Sequence, residues 1–229
     1  MSGLKLMLAC TLAFIAESPA LAQIPPSAQE VARYGGLHAA AYRGDLESLR
    51  TLIAARVDLN SRDVHGRTPL HVATFARQRA VIRLLIEAGA RTDLLENERY
   101  DAVTIAAVAD DEETLRLLLA SGASARLTTS VYDGTALIAA AHLGHDGVVR
   151  QLIDAGARLD HVNNLHWTAL IESIVLGDGG RRHVETLRAL VAAGANTQLA
   201  DRNGTTPLAL ARARGYREMV DILEKAGAK

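Results

Sequence analysis

Three stretches of this 229-residue chain carry residue types that could do chemistry. His142 and His145 stand three apart with Asp146 beside them, a spacing that offers two imidazoles to a metal if one helix carries both. Gly144 lies between them, however, where one helix would end and the next begin, so a shared face is not assured. The stretch GDGGRRH, Gly177 to His183, is a glycine-rich turn running into a helix with two arginines, the composition of a phosphate or carboxylate cradle. Its spacing matches neither established phosphate loop, and an enlarged turn that absorbs extra residues is the preferred reading. The carboxylates Asp45, Asp63, Glu112, Glu113 and Asp160 fall on loops and helix starts, where they suit the positive end of a helix dipole. No pair of them has a context that suggests acid–base work. A nucleophile elbow is also missing, although the members of a Ser/His/Asp triad need not be adjacent in sequence. A metal-dependent or hydrolytic enzyme using His142, His145 and His166, or the Gly177–His183 turn, therefore stands as the second reading. The first assigns no catalytic residue, no metal site and no cofactor.

Composition limits the partners. Twenty-five basic against 26 acidic residues give a formal charge of −1, so no global field draws the chain to nucleic acid or to an anionic membrane. The first 22 residues combine Lys5, an apolar run from Leu6 to Ala16, Pro19 and the small-x-small stretch Ala20-Leu21-Ala22, which predicts a signal peptide cut after Ala22 and a periplasmic or secreted product. The run is short for a membrane span, so tethering by a retained helix or a lipid on Cys10 is the lesser alternative. Cys10 is the only cysteine; beyond residue 22 there is no thiol for a disulfide, a metal or a nucleophile.

The elements that must position these residues repeat. Units open at Gly36, Thr68, Asp101, Thr135, Thr168 and Thr206, and the last five starts lie 33, 34, 33 and 38 residues apart. Each reads as helix, turn, helix, loop. Thr68, Asp101, Thr135, Thr168 and Thr206 have an oxygen where a helix N-cap needs one, and Pro69 and Pro207 follow at the first helical position. A Leu/Ile/Val stripe at three- and four-residue spacing marks each second helix, for example Val81, Leu84 and Leu85. That helix then stops at Gly89, Gly122, Gly156, Gly194 or Gly227.

With Thr68-Pro69-Leu70-His71 as tetrapeptide and the Gly-Ala pairs closing the second helices, the units resemble ankyrin repeats, and the long fifth unit is similar to a pattern in secreted bacterial ankyrin proteins. The resemblance implies an all-α solenoid of about six helix-turn-helix units with short β-hairpin loops. It divides the chain into a signal peptide 1–22, a lead-in 23–33 and a repeat domain 34–229, with units at about 34–62, 63–95, 96–128, 129–162, 163–200 and 201–229. It gives His71 a structural bond between adjacent hairpins, with His38 at the equivalent place in unit one. Arg99 stands at the hairpin glycine of unit three, and Arg77 and Asp110 replace the glycine between helices, so distorted turns are expected there. Asp133-Gly134 places the glycine of unit four one residue late.

The resemblance also implies a concave groove that binds a protein or peptide partner, with no chemistry of its own, in a monomer that takes no nucleic acid and has no membrane span once mature. By repeat position Tyr42, Phe75, Val108, His142, Val175 and Ala213 form a ladder at the ends of the first helices. The hairpins add Val64, His65 and Arg67, then Asn97, Glu98 and Tyr100, then Val131 and Tyr132, then Asn164, Leu165 and Trp167, then Arg202 and Asn203. Seven aromatic residues follow residue 22, and five of them, Tyr42, Phe75, Tyr100, Tyr132 and Trp167, fall on this surface, where large rings suit binding hot spots.

Overall fold

The structure, a computed structural model, describes residues 23–229. The predicted signal peptide lies outside the described residues.

A side-chain oxygen accepts an amide at the start of five first helices. Thr68 opens α4 (Pro69–Phe75), Asp101 α6 (Ala102–Val108), Thr135 α8 (Ala136–Leu143), Thr168 α10 (Ala169–Val175) and Thr206 α12 (Pro207–Arg214). The second helices of units two to six are α5 (Arg79–Glu87), α7 (Glu112–Ala120), α9 (Asp146–Asp154), α11 (Arg181–Ala192) and α13 (Arg217–Lys225). Unit one supplies α2 (Gly36–Arg43) and α3 (Leu46–Ala54), and the lead-in forms α1 (Ala28–Arg33). Ser27 and Glu30 close a capping box on α1, each side chain taking the other's backbone amide.

No single unit hides its own apolar stripe. First helices pack in the order α2, α4, α6, α8, α10, α12 and second helices in the order α3, α5, α7, α9, α11, α13, so one core runs from Leu37 to Leu223. Alanines such as Ala73, Ala106, Ala107, Ala140 and Ala141 are nearly sealed from solvent and let the first helices approach closely. Among the described residues no helix is long and apolar enough to cross a membrane.

The hairpins are bonded turns rather than ribbons, with a single isolated bridge, Thr129 to Gly134, among the described residues. Closure recurs as Asp63 N–H to Arg67 C=O, Glu96 to Tyr100, Thr129 to Gly134, Asn163 to Trp167 and Asp201 to Thr205. Neighbouring hairpins are tied by Asn97 N–H to His65 C=O and by Asn164 N–H to Tyr132 C=O, both 2.9 Å.

The turns without glycine keep the glycine geometry. Arg77 (φ 54), Arg99 (φ 66), Asp110 (φ 51) and His166 (φ 64) all sit in the left-handed region, so the backbone path is preserved and the side chains carry the strain. In unit four the glycine stands one residue late, as expected, but it does not make the turn. Asp133 (φ 53) takes the left-handed position, Gly134 occupies the place of Arg67, and the extra residue is Ser130 (φ 63). In the fifth unit only two of the extra residues lengthen the turn; the other three lengthen α11, which has 12 residues where α5 and α9 have nine.

Candidate functional site

The groove-side residues fall into two rows, one along the hairpin tips and one along the ends of the first helices. Val64 is 84% exposed, Val131 and Tyr132 are each 43% exposed and Leu165 39%, so the tips present apolar surface that the stack does not use. Phe75, Val108, His142 and Val175 are half-buried at the ends of α4, α6, α8 and α10, and Ala213 is exposed on α12. Leu143 and Leu176, one position further on, extend the apolar strip, a repetition visible in the sequence that the expected ladder left out.

The other predicted contacts divide between surface and scaffold. Asn97 and Asn164 donate from their side chains to the carbonyls of Val64 and Val131 in the preceding hairpins, at 3.4 and 3.1 Å. Arg202 donates to the carbonyl of Asn164 at 3.0 Å, and Asn203 gives its amide to Asp201 at 2.9 Å. Tyr42 packs against the core, whereas Tyr100 and Trp167 are half-buried on the hairpins. Burial lifts the Tyr100 phenol above its usual range, and the charges of Glu96, Glu98 and the Tyr132 phenol add to it.

Arg67 is a correction. It is 1% exposed and offers a partner no surface. Its Nε donates to Asp63 at 2.7 Å, one terminal nitrogen pairs with Glu30 and another reaches the Ile24 carbonyl. Tyr34 completes this network by donating to Asp63 at 2.8 Å, and His65 pairs with Glu30 at 2.7 Å. The Ser27 hydroxyl and amide together with Arg67 hold the Glu30 carboxyl down at about 2. The lead-in is therefore tied down on the first hairpin. Ser27-x-x-Glu30 and Asp63 four residues before Arg67 were the signals for it.

Histidines mostly join units. His38 Nε2 donates to the Arg67 carbonyl at 2.9 Å, and His71 Nε2 to the carbonyls of Leu94 and Tyr100 at 3.0 and 3.2 Å. Burial pushes His71 down to about 4 against those two bonds, so the ring is neutral, with Nδ1 accepting the Thr68 amide at 3.0 Å. His145 donates to the Ala107 carbonyl, His161 to that of Asp133 and His183 to that of His142. His166 lies in a hairpin, with Arg202 at 3.2 Å. His142, His145 and His166 thus hold separate positions, and among the described residues no three His, Cys, Asp or Glu side chains gather as metal ligands would.

The Gly177–His183 turn closes on itself. Asp178 Oδ1 accepts the Gly180 amide and faces His183 Nδ1, both at 2.8 Å, while the Tyr216 hydroxyl donates to the Gly177 carbonyl at 2.8 Å. A carboxylate of the chain itself thereby stands where an incoming anion would sit. Behind it Arg182 donates to Asp110 at 2.8 Å and lies 3.5 Å from Asp146.

One buried polar group belongs to no scaffold pattern. Glu172 is 4% exposed on α10, at the register where other units place Val72, Ile105, Ala139 and Leu210. Asn163 Nδ2 donates to its Oε1 at 2.9 Å, and Asn163 Oδ1 accepts the amides of Leu165 and Trp167 at 3.0 Å. Oε2 has no hydrogen-bond partner and lies 3.7 Å from His142 Nδ1. Burial raises this carboxyl to about 7, the Asn163 bond opposing, and lowers the His142 imidazole.

Comparison with known proteins bears on the whole array. The family profile described as ankyrin repeats (3 copies) matches residues 37–129 and 103–181. The ankyrin repeat protein YahD of Escherichia coli (strain K12) is 34% identical over 190 residues, 82% of this chain and 94% of its own. The crystal structure of an ankyrin repeat domain (ABAYE2397) from Acinetobacter baumannii AYE is similar at a TM-score of 0.80 and 42% identity, over 84% of this chain and 98% of that one. Human neurogenic locus notch homolog protein 1 is 30% identical over 181 residues, 76% of this chain but 5% of its own length. Since profile, bacterial relative and solved domain all follow the stacked helix pairs, the chain belongs to the ankyrin repeat family, whose members generally serve as protein-binding modules.

Proposed function

We propose that this protein binds a protein or peptide segment along the face made by its hairpins and first helices, without catalysing a reaction, and that it does so in the periplasm or outside the cell after cleavage behind Ala22. The observation that carries the binding reading is the pair of rows, Val64, Val131, Tyr132 and Leu165 on the hairpins and Leu143 and Leu176 at the helix ends, which hold six of the nine exposed large apolar side chains among the described residues. Apolar surface kept in water has a cost that folding does not recover, and a partner removes it. Tyr100 and Trp167 add rings that lose little entropy when covered.

Two measurements test it. Tyr100→Ala and Trp167→Ala should leave the unfolding temperature within a few degrees of the parent. Each should also weaken capture of a peptide selected on the parent protein by about tenfold. Unchanged capture by both variants would remove this face from the function. Mass analysis of the exported protein should find Gln23 as first residue; a mass that includes the first 22 residues or a lipid would replace the soluble product with a tethered one.

A further inference from the structure

Resting on that binding face, we propose that the Glu172 carboxyl, under His142 and beside the Trp167 hairpin, is the seat for a lysine or arginine side chain of the bound peptide. Stacking does not call for a carboxylate at this position. The equivalent residues Val72, Ile105 and Leu210 are apolar and Ala139 is small, so the other units do without a carboxylate here. A buried carboxyl with one oxygen unbonded is a cost to the fold, and such groups are kept where something outside the fold completes them. The described side chains bring no cation to Oε2, and its nearest titratable neighbour, His142, is held toward its neutral form by burial.

His142 also gives the route in. Its side chain is 31% exposed on the last turn of α8, and the seat requires this ring to turn aside, a movement open to a partly exposed side chain. Among the basic groups of the hairpins, Arg99 is bound to Asp133 at 2.9 Å, Arg62 to the carbonyls of Gly66 and Leu95, and Arg202 to that of Asn164. These bonds hold the three arginines in the hairpins, and Glu172 Oε2 is left without a hydrogen-bond partner. An ammonium or guanidinium group would find the Glu172 carboxylate below it. Asn163, which binds both Glu172 and the Trp167 amide, keeps the seat and the hairpin in register.

The probe is an immobilised set of randomised dodecapeptides with the central residue fixed as lysine, arginine, norleucine or glutamate, exposed to the purified protein. Lysine and arginine pools should retain about tenfold more protein than the norleucine pool, and the glutamate pool less. Glu172→Gln, which keeps shape and the Asn163 bond, should bring lysine down to norleucine while norleucine retention stays at the parent level. Glu98→Gln should leave most of the lysine preference intact. Equal retention of lysine and norleucine by the parent, persistence of the preference in Glu172→Gln, or its disappearance in Glu98→Gln would each overturn the seat while leaving the binding face standing. Retention of no pool at all would overturn both.

Discussion

Glu172 and His71 set opposite pH dependences within one stack. Glu172 is raised to about 7 from a usual 4.5, so between these values the unfolded chain ionises it and the native chain does not, and stability falls as pH rises. His71 is lowered to about 4 from 6.5, so over nearly the same interval the unfolded chain holds a proton that the native chain refuses, and stability rises. The two slopes largely offset. Glu172→Gln should therefore gain little at pH 4.5 and on the order of 3 kcal/mol at pH 8, and it should uncover loss of stability in acid, read by urea midpoints across that range. Equal gain at both pH values would show that Glu172 titrates normally. Residue roles were unevenly legible in the sequence. His71 was readable because its tetrapeptide states its bond, while Arg67 looked like a hairpin side chain free to face outward. What decides Arg67 is a contact 37 residues away with Glu30, which no local pattern carries. Asp63, Glu96, Asn163 and Asp201 each accept amides of their own hairpin, a recurrence of oxygen-bearing residues at one register that was present in the sequence.

At the scale of elements, capping and turn geometry explain why the helices start and stop where they do. Gly89 closes α5 at φ 96, and Arg56 stands in the same place after α3 at φ 56. A side chain in that conformation is strained by about 1 to 2 kcal/mol, part of which glycine gives back through its freer unfolded chain. Arg56→Gly should thus stabilise by about 0.5 to 1 kcal/mol, seen as a higher urea midpoint at unchanged slope; a lower midpoint would mean that the arginine's contacts outweigh its backbone. Helix positions were legible because their signals are local, an oxygen before and a glycine after. The division of the fifth insertion between turn and helix was not, since glycines mark only the turn. α11 starts at Arg181 without a side-chain cap, directly after the Gly180 amide that Asp178 accepts.

The whole molecule is a row in which each unit leans on its neighbours, so opening should begin at the ends. Hydrogen exchange should find the amides of α6, α8 and α10 slowest and those of α3 and α13 fastest; uniform protection along the row would contradict nearest-neighbour stacking. The order of units was legible from the recurrence alone, because a unit that cannot cover its own stripe must be covered by the next. What recurrence does not show is any link that skips a unit. Arg182 of the fifth unit reaches Asp110 of the third and lies near Asp146 of the fourth between them. Arrays of this kind change length by losing or copying entire modules, and most junctions accept the edit because only adjacent modules touch. Excising the fourth module here would discard Asp146 and bring the third and fifth tiers edge to edge, so the Arg182 bridge to Asp110 would have to be reset at the new junction.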